Sequence, residues 1–285
     1  MKSNIINLFF IIIVMEFLSS NGLNCQEVVS KTEDNKIKMN ISIDTNNNET
    51  LIFSVRNKTE EIFKTSFILC NNNRIYIINP NGVVNEEHEI ADYIGGNQPV
   101  KLKPLEVKMW KLNISELSRT HNDYYEFNVR GLYQFYWELE GYKSDKIFIL
   151  KENSKSQIET GEIKGFSDNE KNSKDDITMI TAVVLDRETT TLALIAKNNL
   201  KKSIDAKDKR IVIINPNGEE IRHVVKMKGD KQKIEPSQTI VWKVNVIDIF
   251  KEHDIKEEGE YKVRWEVGDK KSKELLLMKE KEETK

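Results

Sequence analysis

One strand-and-turn pattern occurs twice in the 285-residue chain, and this repeat constrains the fold more than any other feature. The nine residues RIYIINPNG return as RIVIINPNG, with a single difference, and two further segments repeat in the same order. The matching pairs are 74–82 with 210–218, 102–113 with 234–245, and 131–138 with 259–266. Such self-similarity is typical of tandem structural units. The sequence therefore predicts two homologous domains, at 33–152 and 176–280.

Apolar and polar residues alternate within each copy. Trp110 and Leu112 flank Lys111 in the first copy, and the second copy repeats this at 242–244. Alternation with a period of two is typical of half-buried strands. In the Asn-Pro-Asn-Gly segments, proline suits the second position of a β-turn and glycine suits the fourth. These patterns predict an all-β chain with two tandem immunoglobulin-like antiparallel β-sandwiches after an N-terminal signal segment.

Two resemblances to known families support this fold. The Gly-x-Tyr segments that contain Tyr133 and Tyr261 resemble the tyrosine corner of immunoglobulin-like domains. Phe135 and Val263 stand where an antibody domain carries its second core cysteine, so true antibody-type domains are excluded. The order of strand pair, Pro-containing loop, Trp-containing strand and Gly-x-Tyr also resembles the bacterial intracellular proteinase inhibitor family over most of each copy. That resemblance implies a small sandwich and a proteinase inhibitor function.

Residues 153–175, between the two copies, are polar and charged with few apolar side chains. This composition predicts an exposed linker. Its acidic cluster Asp168-Asn169-Glu170 lacks the spacing of oxygen ligands found in calcium-binding loops, so we interpret it as part of a solvated spacer.

The first 24 residues have the pattern of an export signal. Lys2 precedes an apolar run at 5–15, and Ser20 and Gly22 supply the small residues of a cleavage site. The run is too short to cross a bilayer core of about 30 Å. We therefore predict a signal segment at 1–24, with an uncleaved membrane anchor as the alternative. The mature protein is expected to be secreted, periplasmic or attached to the cell envelope.

Cys25 and Cys70 are the only cysteines. Cys25 directly follows the predicted signal segment, where the sequence Leu-Asn-Cys resembles the lipidation signal of bacterial lipoproteins, although Asn24 departs from it. Cys25 is therefore the candidate lipidation site, while a free thiol and a bridge to Cys70 stay open. Membrane attachment is expected through this residue or through the N-terminal segment.

No catalytic residue, metal site or cofactor is predicted from the sequence. Residues kept in both copies form turns or pack in strands, and nucleophile and phosphate-binding motifs are absent. The histidines lie in loop-like positions that the repeat does not match, without metal-ligand spacing. They are His88, His121, His223 and His253. A formal charge of −2 gives no electrostatic argument for nucleic-acid binding. We expect a protein that is not an enzyme.

The first copy carries extra aromatic loops that the second lacks. The candidate ligand-binding residues are Tyr93, Tyr124, Tyr125 and Phe127. Aromatic side chains on loops of a rigid sandwich are typical of recognition sites, and the alternative is that they cap the end of their own sandwich. The predicted function is a non-enzymatic, exported or envelope-anchored binding protein, with an unknown protein or a glycan as partner. The alternative is an extracytoplasmic proteinase inhibitor.

Overall fold

A computed structural model gives the fold of most of the chain. The described residues are 36–64, 73–87, 101–114, 127, 129–152, 157–166, 176–185, 189–226 and 232–280. The predicted signal segment, both cysteines and the candidate residues Tyr93, Tyr124 and Tyr125 lie outside them. Within these ranges, no helix has the length and apolar character needed to cross a membrane.

The described residues form 21 β-strands and one helix, which confirms the predicted all-β sandwich class. The first copy contains β1 (Ile37–Asp44), β2 (Thr50–Asn57), β3 (Phe63–Lys64), β4 (Asn73–Ile78), β5 (Val84–Glu87), β6 (Lys101–Leu102), β7 (Val107–Asn113), β8 (Gly131–Leu139), β9 (Tyr142–Lys143) and β10 (Ile147–Lys151). Between the copies lies β11 (Ile158–Thr160). The second copy contains β12 (Ile177–Val184), β13 (Thr191–Asn198), β14 (Ile204–Asp205), β15 (Lys209–Ile214), β16 (Glu220–Val224), β17 (Lys233–Ile234), β18 (Thr239–Asn245), α1 (Val246–Glu252), β19 (Gly259–Val267), β20 (Lys270–Lys271) and β21 (Leu275–Lys279).

Both large sheets take strands from both copies. Sheet I has the order β16-β15-β19-β21-β1-β2-β7, and sheet II has the order β11-β18-β13-β12-β10-β8-β4-β5. Apart from β11, the two orders are the same with the copies exchanged. Each sheet is antiparallel except at the joint between copies, where Ile43 pairs with Leu277 and Ile149 with Val183 in parallel. The copies are therefore related by an approximate two-fold exchange.

This arrangement corrects the predicted boundary at 152 and 176. The copies are not separate sandwiches in a row, because residues from 33 onward form one compact unit and buried apolar residues of both copies form one continuous cluster. Within each copy, the strands in sheet I still pack against the strands of the same copy in sheet II. Phe53 meets Trp137 edge-on at 5.6 Å between ring centroids, and both side chains are fully buried.

The repeated turn and the repeated Gly-x-Tyr segment fit against each other. Gly131 has φ +137°, and a Cβ there would lie 2.7 Å from Cβ of Pro80 in the Asn-Pro-Asn-Gly turn. Gly259 approaches Pro216 in the same way in the second copy. Only glycine combines this backbone angle with so close an approach. The two repeated motifs therefore depend on each other.

The predicted tyrosine corners are confirmed. The hydroxyl of Tyr133 donates to the carbonyl of Val129 at 2.9 Å, and that of Tyr261 donates to the carbonyl of Glu257 at 2.8 Å. Both rings are fully buried, so each hydroxyl gains a partner without exposing its ring.

The described part of the predicted linker is integrated into the fold. Strand β11 pairs antiparallel with β18, at the edge of sheet II. Beyond it Phe166 is only 3% exposed and belongs to a second apolar cluster on the outer face of sheet II, with residues such as Ile180 and Ile195. The prediction of an exposed linker is therefore corrected for 157–166, because this outer face is apolar and requires a cover.

Charge pairs also fix this segment. Lys243 on β18 is buried and forms ion pairs with Glu152 and, at 2.6 Å, with Glu159 of β11. Lys111 holds the corresponding position in the first copy and pairs with Glu280, which follows β21 as Glu152 follows β10. The approximate exchange of the copies thus extends to these buried and half-buried charges.

Candidate binding surface

Phe127 is the one predicted ligand-binding residue that the structure describes. It is half-buried, with its ring centroid 5.1 Å from that of Tyr133 and 5.9 Å from that of Phe135. Its contacts are those of the capping alternative, because the ring covers aromatic residues of its own core. Tyr124 and Tyr125 lie outside the described residues, so their predicted role stays a prediction.

A stacked tyrosine pair occupies the outer face of sheet II in the first copy. Tyr76 on β4 and Tyr136 on β8 are cross-strand partners, with ring centroids 4.6 Å apart and planes 3° from parallel. They point away from the core because their strand neighbours Ile75 and Phe135 are fully buried inside it. Both tyrosines are half-buried, so part of each ring is available to a partner.

Apolar and cationic groups flank this pair. Val84 on β5 is 54% exposed and lies on the same face, since it is the cross-strand partner of Ile78. The Nζ of Lys146 lies 5.8 Å from the centroid of the Tyr136 ring. We call Tyr76, Val84, Tyr136 and Lys146 the aromatic face.

Three of the four equivalent positions in the second copy hold charged residues. Arg264 replaces Tyr136, Glu220 replaces Val84, and Glu274 replaces Lys146. At the fourth position, the buried Val212 replaces Tyr76. Arg264 donates to Glu220 at 2.8 Å and lies 3.5 Å from Glu274.

Each charge at the centre of this network has an opposite charge beside it. The hydrogen bond to Glu220 raises the pKa of Arg264. Burial alone would raise the pKa of Glu266, but hydrogen bonds from Arg210 and Arg264 lower it below its usual value. This surface of the second copy is therefore satisfied by its own side chains, whereas the aromatic face exposes apolar area.

The sequence contained a signal for the aromatic face. Tyr76 against Val212 is the single difference in the nine-residue repeat. The neighbouring positions 75 and 77 are buried and hold the same residues in both copies. A difference confined to the outward position 76 therefore indicates that the surfaces of the two copies differ. The sequence analysis predicts the site on aromatic residues of loops and does not include these outward-facing strand residues.

Two histidines that the sequence analysis left apart are in contact. The Nδ1 atom of His223 on β16 lies 3.3 Å from the Nε2 atom of His253, which directly follows α1. Glu252 adds a carboxylate oxygen 3.6 Å from Nδ1 of His223. Burial lowers the pKa of His223. Thirty residues separate the two histidines, so no local spacing revealed the contact.

The prediction that the repeat matches none of the histidines is wrong for one pair. His121 follows Trp110 by the same 11 residues that separate His253 from Trp242. His121 lies outside the described residues. The repeat therefore pairs one histidine of each copy, while His223 corresponds to Glu87 of the first copy.

No protein-family model matches the chain. No curated protein matches it either. Among solved structures, the chain is similar to the Amycolatopsis orientalis exo-chitosanase CsxA (11% identity, TM-score 0.21), over 84% of this chain and 26% of that one. It is similar to a structure described as a chaperone–tip adhesin complex of CFA/I fimbriae biogenesis (12%, TM-score 0.23), over 86% of this chain and 98% of that one. A tetra-tandem repeat of a large adhesion protein is matched at 11% and TM-score 0.20, over 85% of this chain and 47% of that one.

The chain thus spans about a quarter of the chitosanase, nearly all of the matched chain of the adhesin complex, and about half of the adhesion repeat. TM-scores this low do not establish a shared fold. Nothing about the function of this chain follows from these three proteins.

Proposed function

We propose that the chain is a non-enzymatic binding protein, exported or anchored to the cell envelope, and that the aromatic face of its first copy is the contact surface. One observation carries the proposal: at equivalent positions, the second copy fills its surface with mutually paired ions and the first copy exposes stacked tyrosines. A duplicated scaffold needs no such difference for its stability, because the buried tyrosines and tryptophans are the same in both copies.

The chemistry of the aromatic face favours a contact role. Tyrosine combines an apolar body with a polar tip and loses little conformational freedom on binding, so it is enriched at the centres of interfaces. Here Tyr76 and Tyr136 already order each other by stacking, which reduces the cost of fixing them in a complex. Lys146 adds a positive charge beside the rings. The expected partner is a protein or a glycan that offers a flat apolar surface next to an acidic or acceptor group.

Export and anchoring are part of the proposal. The predicted signal segment at 1–24 and Cys25 would place the binding surface outside the cytoplasm, with lipid attachment at Cys25. Mass spectrometry of the mature N-terminus tests this point. A diacylglycerol adduct on Cys25 would support anchoring, and an intact Met1 on the exported chain would contradict cleavage.

The binding test exchanges residues between the copies. In the double variant Tyr76→Val plus Tyr136→Arg, the first copy receives the side chains of the second. Labelled wild-type and variant proteins are applied to glycan and protein arrays, with Arg222→Ala, an exposed change in the second copy, as control. Loss of central aromatic contacts costs about 2 kcal/mol or more, so we expect binding to the partners of the wild type to weaken at least about 30-fold.

Three other results would change the assignment. If the double variant binds every wild-type partner within twofold, the aromatic face is not the contact surface. If only a Tyr93→Ala, Tyr124→Ala, Tyr125→Ala variant loses binding, the predicted loops hold the site instead. Inhibition of a protease panel at micromolar protein would favour the proteinase inhibitor alternative.

A further inference from the structure

The end of α1 and strand β16 bring three metal-ligating side chains together in the second copy. His223, Glu252 and His253 each offer one ligand atom, and these three atoms all lie within 4.8 Å of one another. The Nδ1 atom of His223 is 3.3 Å from Nε2 of His253 and 3.6 Å from Oε1 of Glu252. The histidines are half-buried and the glutamate is exposed, so the cluster is shielded on one side and open on the other.

These separations match a tetrahedral ion. A zinc ion with metal–nitrogen bonds of about 2.0–2.1 Å holds its ligand atoms about 3.3–3.4 Å apart. The two measured distances from His223 are close to this value. Glu252 is the exposed member of the three, with 64% of its side chain accessible, so its carboxylate has room to move closer to the ion. The separations of the ligand atoms therefore fit one shared ion.

The backbone holds the three ligands in place. His223 is fixed in the β15–β16 ladder, where it pairs with the fully buried Ile211. On the other side, the amide of His253 donates to Ile249 at 3.1 Å and closes the last turn of α1. Asp254 then takes a left-handed conformation with φ +52°, which turns the chain away from the helix. Ligand positions set by regular elements are typical of a built site.

We infer that His223, His253 and Glu252 form a binding site for a divalent ion of the zinc class, with a fourth coordination position open to water or to a partner's side chain. Two imidazoles and one carboxylate favour zinc and related transition metals over calcium and magnesium, which prefer oxygen ligands.

The first copy offers only part of this set. His121 corresponds to His253, but Thr120 and Glu87 stand at the positions of Glu252 and His223. One zinc ion per chain is therefore expected. A hydrogen bond between the two imidazoles, with no metal, is the competing explanation that the experiment must separate.

The test titrates metal-free full-length protein with Zn²⁺ by calorimetry and with Co²⁺ by visible spectroscopy. We expect one ion per chain and the intense visible bands of tetrahedral cobalt. His223→Asn and His253→Asn should each weaken binding at least about 100-fold, because loss of even an outer-shell partner costs 10–100-fold. Glu252→Gln changes an exposed side chain that the fold does not require, so a weakening of about tenfold or more from this variant cannot be attributed to misfolding.

Two controls define the outcomes. Asp254→Asn changes the neighbouring exposed carboxylate, which pairs with Lys256 at 2.7 Å, and Asn tolerates the same backbone angle. It should bind Zn²⁺ within twofold of the wild type. A His88→Asn, His121→Asn variant should also bind normally. No binding by the wild type at micromolar Zn²⁺, an octahedral cobalt spectrum, or unchanged binding by His223→Asn would overturn the inference.

Discussion

Replacing Phe166 with Ala tests whether the segment between the copies belongs to the fold. The side chain is 3% exposed and lies in the apolar cluster on the outer face of sheet II, against residues such as Leu132 and Val241. Next to it, Gly165 has φ +81°, and a Cβ there would lie 2.5 Å from the carbonyl oxygen of Leu132. The segment is thus pressed against the sheet and cannot close over a lost ring without moving its backbone.

The expected cost follows from this burial. Phe→Ala substitutions in cores cost about 3–5 kcal/mol, from lost apolar burial and the cavity left behind. We expect the lower end, about 3 kcal/mol, because the ring lies on the outer face of sheet II and not between the two sheets. With a urea m-value of about 3 kcal/mol/M, the unfolding midpoint should fall by about 1 M.

Urea unfolding monitored by tryptophan fluorescence measures this shift. Glu162→Ala, an exposed change in the same segment, is the matched control and should stay within about 0.5 kcal/mol of the wild type. If residues 153–175 formed a solvated spacer, Phe166→Ala would have the same small effect as the control. Equal midpoints for the two variants would therefore refute the docking of this segment.

Three further changes test the packing and the charges. Gly259→Ala forces a side chain against Pro216 at a positive φ and should cost at least about 2 kcal/mol in urea unfolding, whereas ready tolerance would refute the close approach. Lys243→Ala leaves two carboxylates without their buried cation and should cost about 3 kcal/mol, while Lys111→Ala, at the half-exposed counterpart, should cost about 1 kcal/mol or less. Glu266 has a lowered pKa, so its contribution to stability is present above pH 4.5 and is lost as the pH falls towards its folded value. Glu266→Gln should therefore flatten the acid side of the stability profile, and an unchanged slope would contradict this.

Local motifs accounted for most of what the sequence predicted correctly. The Asn-Pro-Asn-Gly turns, the tyrosine corners at Tyr133 and Tyr261, and the alternating strands each depend on residues that are close in sequence. Their physical cause is therefore visible in one segment at a time. The internal repeat added the architecture, because two copies of the same pattern must bury the same face.

The sharing of sheets depended on contacts that no segment reveals. The joints Ile43 with Leu277 and Ile149 with Val183 pair residues more than 30 positions apart, and parallel pairs carry no turn that marks them. One signal was present nevertheless. Strand β12 is buried at all eight positions, which is typical of a strand covered on both faces rather than of one at a solvated surface.

The two copies differ in whether their last sheet strand, β7 or β18, is covered by another strand. The chain has one segment between its copies, and this segment covers the edge strand β18 through β11. Its counterpart β7 ends sheet I in the described part of the chain, with Val107 47% and Met109 55% exposed. An exposed strand edge with apolar side chains invites pairing with another chain unless it is covered or charged. Two departures from the two-fold exchange, this edge and the aromatic face, lie on strands of the first copy. The equivalent positions of the second copy are satisfied internally, by β11 and by the Arg264 network, and this difference is the physical reason for proposing the contact surface on the first copy.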